Sequence, residues 1–135
     1  MALRTKGDFD RAHRRGGRAR TDDLLVIAFE NGHVLESRVG LAIGKRIAKR
    51  AVDRNRLRRR IREAFRLEYH QLPRGVDLVV LGAQPGADPS LAEVRAQLLA
   101  LAPRALHKAR AKAAREAAPR SGPAQPRSAA ETSTP

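Results

Sequence analysis

Cysteine is absent from these 135 residues, so neither a disulfide framework nor a thiolate zinc site can be drawn, and nothing speaks for an oxidising compartment. Tryptophan is absent too, and Phe9, Phe29, Phe65 and Tyr69 are the only Phe or Tyr residues, so any surface that stacks bases must be small. No apolar stretch approaches the ~20 residues of a membrane span, and Met1-Ala2-Leu3-Arg4-Thr5-Lys6 opens no apolar signal core. The expectation is a soluble, unprocessed, cytoplasmic chain. Carboxylates are scarce as well: 14 Asp and Glu face 28 Lys and Arg, a net charge of +14. Such a surface attracts polyanions and repels copies of itself, which puts nucleic acid first among partner classes. An anionic membrane would want an amphipathic helix with a free apolar face, and none is evident, so no membrane partner is expected.

The length suits one compact domain with tails. Charge divides the chain unevenly. Residues 45–66 carry eleven Lys or Arg against Asp53 and Glu63, and residues 104–135 carry seven against Glu116 and Glu131. The remaining residues balance at ten against ten. A folded domain is therefore expected over 1–103. The basic Ala/Pro/Ser-rich tail, 104–135, is expected to be disordered beyond about 118, because its composition cannot offset the entropy of ordering.

Leu24 to Phe29 is an apolar run bounded by Thr21-Asp22-Asp23 and Glu30-Asn31-Gly32, which suits a buried strand, and Asn31-Gly32 is a hairpin signal. Arg38 to Ile43 and Val76 to Leu81 read as further strands. Between them a helix runs from Ile47 or Lys49 to Tyr69. Ser90 and Glu93 form a capping box ahead of Leu91, Val94, Leu98 and Leu101, a second helix expected to be interrupted near Pro103. With an N-terminal piece open to helix, the order predicts an α+β fold: a two-layer α/β sandwich, helices covering one side of a small sheet.

On the long helix, Leu57, Ile61, Ala64 and Phe65 fall within one stripe that should bury, while Arg54, Asn55, Arg58, Arg59 and Arg62 occupy an adjoining sector that Arg66 closes. Arg54, Arg58, Arg62 and Arg66 stand at four-residue steps, about 6 Å apart along the axis, a spacing at which each can reach a different phosphate. Like charges so placed repel by a few tenths of a kcal/mol per pair, so this face works against helix stability. A bland solvated face is the ordinary meaning of a charge run. A row almost wholly of arginine, suited to bidentate phosphate contacts, favours nucleic acid instead.

These residues also resemble a known family, the bacterial ribonuclease P protein component. The resemblance runs through Arg38-Val39-Gly40-Leu41-Ala42-Ile43-Gly44-Lys45-Arg46, then from Ala51 through Arg54-Asn55-Arg56 to Arg62-Glu63-Ala64-Phe65-Arg66, with Asp8-Phe9 before and Asp77-Leu78-Val79-Val80 after. It covers about residues 4–102. It implies a fold similar to one domain of a ribosomal protein, with a left-handed β-α-β crossover, where right-handed would be the default. It further implies a protein subunit of an endoribonuclease whose RNA subunit, with its Mg2+ ions, cleaves the 5′ leader from precursor tRNA. No catalytic residue and no bound metal are expected in the protein. By the same resemblance, Lys45, Arg46, Arg50, Arg54, Asn55, Arg56, Arg58, Arg59, Arg62 and Arg66 contact RNA, and Phe9, His13 and Ile27 line a cleft for the leader. The family often has aromatics where His13 and Ile27 stand here. Leader binding would then rest more on van der Waals contact and charge.

The residues agree with a protein that has no active site of its own. His13, His33, His70 and His107 lack metal-ligand spacing, Asp22-Asp23 suits turn chemistry, and Gly16-Gly17 is not followed by a nucleotide-loop context. No small-molecule substrate is expected. A noncatalytic ribosomal-RNA-binding or assembly protein would use the same helix. A DNA-reading helix would want a preceding tight turn and a dimer surface, neither of which is visible.

Overall fold

The computed structural model describes residues 10, 13–32 and 36–117, and Phe9, the segment 33–35 and the tail beyond 117 lie outside them. Four strands, β1 (Gly17–Arg20), β2 (Leu24–Glu30), β3 (Arg38–Ala42) and β4 (Val76–Gly82), form one sheet in the order β1-β2-β4-β3. Helix α1 (Ala51–Glu68), followed by a 3-10 turn over Tyr69–Gln71, joins β3 to β4, and helix α2 (Leu91–Ala117) follows β4. The fold is α+β. No helix among the described residues is long and apolar enough to cross a membrane.

β2 and β4 are the central pair and are buried on both faces, which is why they read as unbroken apolar runs. Leu24, Val26 and Ala28 of β2, with Val76, Leu78 and Val80 of β4, join the main core, where they meet Leu57, Ile61, Ala64 and Phe65 of α1 and Val94, Leu98 and Leu101 of α2. Ile27, Phe29 and Val79, at the intervening positions, form a smaller cluster on the opposite face of the sheet. Both helices therefore lie on one side, and α2 also packs against β1 and β2.

Three sequence expectations are corrected. The hairpin at Asn31-Gly32 does not form: β4 lies between β2 and β3, antiparallel to the first and parallel to the second. Gly32 does take the positive φ of 85° that turn chemistry favours. The Asn31 amide nitrogen, however, donates to the Gly75 carbonyl at 2.9 Å, and its side chain donates to Asp77 at 2.9 Å, so the chain is led across the start of β4. Parallel pairing of β3 with β4 demands a long connection, and α1 supplies it.

The second correction is β1, a segment for which the sequence raised no strand expectation. Its buried Gly17 and Ala19 alternate with exposed Arg18 and Arg20, a pattern too short and too small in side-chain volume to stand out. The third is Pro103, which lies inside an unbroken α2. Its ring is exposed, while Leu101, Ala102, Ala105, Leu106 and Ala109 are buried and hold the two halves of the helix on the core. Tertiary packing outweighs the lost hydrogen bond, and the helix crosses the boundary expected after residue 103.

Local chemistry sets the element ends. Ser90 and Glu93 exchange the two hydrogen bonds of a capping box, at 2.9 and 3.1 Å. The Thr21 hydroxyl accepts from the Leu24 amide at 3.2 Å, so Asp22-Asp23 occupies a turn. Asp77 is fully buried and paired with Arg38 at 2.6 Å, and the nearly buried Glu68 binds Arg95 at 2.6 Å, fastening the end of α1 to α2.

Candidate nucleic-acid interface

The stripe expected to bury does so: Leu57, Ile61, Ala64 and Phe65 face the core. That fixes the rotation of α1 and turns the arginine sector outward. Arg50 stands at the N-cap without a side-chain cap bond, and Asp53 occupies the first turn, where the positive end of the helix dipole favours a carboxylate. Asp53 receives Arg50 Nε at 3.0 Å and Arg56 Nη2 at 2.6 Å. The hydrogen bond from Arg50 is the main cause holding the Asp53 carboxyl below its usual range. Glu63 is lowered likewise by its hydrogen bond from Arg66, at 2.7 Å.

The expected row of four phosphate-reaching arginines divides in two. Arg54 Nη1 donates to the carbonyls of Ala48 and Lys49 at 3.0 and 2.9 Å. Arg58 Nη2 donates to the Ile43 carbonyl at 2.9 Å, and its Nη1 donates to Asn55 Oδ1 at 3.3 Å. These two guanidiniums lace the segment between β3 and α1 onto the helix. Ile47 anchors that segment from below, 4% exposed, and a Cβ at Gly82 would meet its side chain at 2.6 Å, so only glycine leaves it room there. Lys45 and Arg46 are thereby held exposed on a fixed turn.

Lys45, Arg46, Arg59 and Arg62 have no hydrogen-bonding or ion-pair partner among the described residues. Among the described residues, Arg66 is engaged only by Glu63, its i−3 neighbour. Arg60, absent from the predicted set, binds Asp88 at 2.6 Å and the Pro89 carbonyl at 2.9 Å, tying α1 to the entry of α2. A groove of about 530 Å³ runs between these elements, lined by Arg56, Arg59, Arg60, Arg62, Arg66 and Leu91 among others. On the other side of Arg62 lies a hollow of about 360 Å³ bounded by Val39, Phe65, Arg66, Tyr69 and His70. Phe65 and Tyr69 meet edge to face at 5.5 Å, and Tyr69 meets His70 at 5.6 Å. Tyr69 and His70 were not assigned to the site from sequence, although Arg62, Phe65, Arg66 and Tyr69 keep the i, i+3, i+4, i+7 spacing of one helix face.

The residues assigned by resemblance to a leader cleft are distributed differently. Phe9 lies outside the described residues. His13 is exposed, its Nδ1 3.5 Å from Arg18 Nη2. Ile27 is 0% exposed, in the smaller cluster beneath the sheet. Both stand on the β1-β2 side, away from the arginine face of α1. Among the described residues no three His, Asp or Glu side chains converge in a group that could hold a metal ion.

Fold and surface define a class: a small α+β protein that keeps uncompensated guanidinium groups on one helix and its lead-in turn, where a polyanionic backbone can reach them. The family described as Ribonuclease P matches residues 1–106. The chain is 40% identical over 100 residues to the ribonuclease P protein component of Syntrophobacter fumaroxidans, covering 73% of this chain and 82% of that one. Against the corresponding proteins of Idiomarina loihiensis and Chromohalobacter salexigens, at 46% and 51% identity, the matched stretch spans just under half of each relative's length. Among solved structures, the RNase P protein from Thermotoga maritima superposes with a TM-score of 0.67 at 29% identity, covering 77% of this chain and 96% of that one. The Staphylococcus aureus RNase P protein gives 0.63 at 25% identity, covering 72% and 87%. The chain belongs to the ribonuclease P protein family.

Proposed function

We propose that this protein is the protein subunit of ribonuclease P, docking a catalytic RNA through the exposed face of α1 and promoting removal of the 5′ leader from precursor tRNA in the cytoplasm. The observation that carries the reading is the set of Lys45, Arg46, Arg59 and Arg62, which the fold holds outward without carboxylate partners among the described residues. Keeping like charges together costs stability that a neutral or mixed face would spare, and an RNA backbone supplies the missing counter-charge. Arg50, Arg54, Asn55, Arg56, Arg58 and Arg66 serve the same face, either by holding the turn that bears Lys45 and Arg46 or by exchanging an intramolecular carboxylate for a phosphate. His13, with Phe9 and Ile27, is assigned to the leader by resemblance.

Cleavage in this reading belongs to the RNA subunit and the Mg2+ ions it binds. The protein neutralises charge between two RNAs and so lowers the magnesium the assembly needs. The test is cleavage of a leader-bearing precursor by the cognate RNA subunit at low magnesium, with and without the protein. Stimulation is expected, and none would overturn the reading.

A further inference from the structure

The hollow at the end of α1 combines arginines with aromatic rings, which charge neutralisation alone does not call for. It opens on the helix-bearing side of the sheet, since Val39 of β3 joins the core beneath α1, and β3 is the last strand of the order, with no strand beyond it among the described residues. We infer that this hollow of about 360 Å³ receives one unpaired base of the RNA docked on α1, stacked on Tyr69 and His70, with its phosphate held by Arg62 and Arg66. The inference rests on the proposed docking of RNA along α1 and adds to it a contact that senses a base and not only a charge.

Helical spacing assembles the hollow, because Arg62, Phe65, Arg66 and Tyr69 share one face of the helix. Phe65 is 5% exposed and Val39 8%, so both serve as floor. Tyr69 is half-buried and His70 exposed, which leaves ring surface for a ligand. The Tyr69 ring is held at three points: it meets Phe65 and His70 edge to face, and its hydroxyl accepts from the Ser37 amide at 3.2 Å. Ser37 is itself buried, its hydroxyl donating to the Pro73 carbonyl at 2.7 Å. An aromatic surface fixed in this way loses little freedom when a base settles on it.

Charge sets which way round the nucleotide lies. No carboxylate lines the hollow. Glu63 turns to Arg66 at 2.7 Å and Glu68 to Arg95 at 2.6 Å, while Arg62 has no partner among the described residues. The C-terminal end of a helix carries partial negative charge, so a phosphate belongs a turn earlier, at Arg62 and Arg66, and the uncharged base at the Tyr69 end. Arg66 and Tyr69 are about 5 Å apart along the axis, a gap that a single ribose spans. His70 makes no hydrogen bond among the described residues, so the edge of its imidazole is open to the base. The volume suits one base with its sugar, and a duplex, whose bases are paired and stacked, has none to offer. An apolar protein side chain would cover the floor but leave the two guanidiniums without counter-charge.

Tyr69 is the chain's only tyrosine, so the full protein labelled with 13C-tyrosine gives ring signals from this hollow alone. Titration with pentaadenylate is expected to shift them. An abasic sugar-phosphate chain of the same length, which brings the charge without the bases, should leave them in place. In filter binding to the transcribed catalytic RNA, Tyr69→Leu should weaken affinity at least about fivefold, the loss of one base stack, with a salt slope parallel to wild type because no charge is removed. Tyr69→Phe loses the same hydroxyl bond to Ser37 but keeps the ring, and should restore affinity to within about twofold of wild type. His70→Ala takes ring surface from an exposed position, where little folding energy is at stake, and should weaken binding in the same salt-independent way. Ring signals unmoved by pentaadenylate, equal movement with the abasic chain, or equal affinities for Tyr69→Leu and Tyr69→Phe would overturn the inference. A base-dependent ring shift in a protein that fails to stimulate cleavage would instead count against the proposed function and for the hollow.

Discussion

Replacing Arg59 and Arg62 together by Ala separates the cations that the fold uses from those it leaves over. Neither side chain has a partner among the described residues, and both are exposed, so the double variant should stay within about 0.5 kcal/mol of wild-type stability. Its effect belongs on RNA binding. With about 0.9 of log-log salt slope per neutralised phosphate on a structured RNA, losing two contacts lowers the slope by about 1.8. Between about 50 and 200 mM salt, the gap between wild type and variant should then narrow about tenfold. Filter binding to the transcribed catalytic RNA across that range, with urea denaturation in parallel, measures both quantities. Arg54→Ala with Arg58→Ala should behave in the opposite sense. It removes the donors to the Ile43, Ala48 and Lys49 carbonyls, at about 1–2 kcal/mol for each arginine given their partial exposure, and frees the turn bearing Lys45 and Arg46. Parallel salt plots for wild type and the Arg59/Arg62 variant would refute the division of labour, as would an Arg54/Arg58 variant as stable as wild type.

Gly17→Ala should destabilise by about 1–3 kcal/mol in urea denaturation, since its Cβ would meet α2 backbone atoms that cannot swing aside. Pro103→Ala should raise stability by about 1–2 kcal/mol, because an amide is restored in the middle of a helix while the ring given up is exposed; a lower melting temperature would contradict this. The Glu93 carboxyl is held below its usual range, chiefly by the Ser90 backbone N–H and then by the Ser90 side chain. Its contribution is thus complete above the ordinary glutamate pKa of about 4.3 and is lost as pH falls through the lowered value. Wild type should therefore lose more stability than Glu93→Gln between about pH 5 and 2, and coincident acid profiles would remove the capping box as a pH-dependent element.

Much of the site was legible in one dimension because an amphipathic helix writes its own rotation. Once Leu57, Ile61, Ala64 and Phe65 are known to bury, the arginines beside them must face out, with no tertiary information needed. The capping box at Ser90 is equally local, two groups three residues apart that satisfy each other. The uses of individual arginines were not legible. Arg54 and Arg58 look like Arg62 in the sequence, yet their carbonyl acceptors lie on a segment whose path depends on Ile47 packing beneath Gly82. Arg60 meets Asp88 across 28 residues.

The sequence by itself determined that the chain carries a cationic helix with one buried stripe, that its charge surplus lies in residues 45–66 and the C-terminal part, and that its central strands are buried. These follow from periodicity and composition. Only the tertiary structure decided that β4 enters between β2 and β3, that α2 runs through Pro103, and that Gly17 brings β1 and α2 into contact. Each is settled by long-range packing, in which the burial gained across many residues outweighs a local preference for a hairpin, a helix break or a flexible glycine. The same packing sorted eleven similar cations into those that hold the fold and those left for a partner.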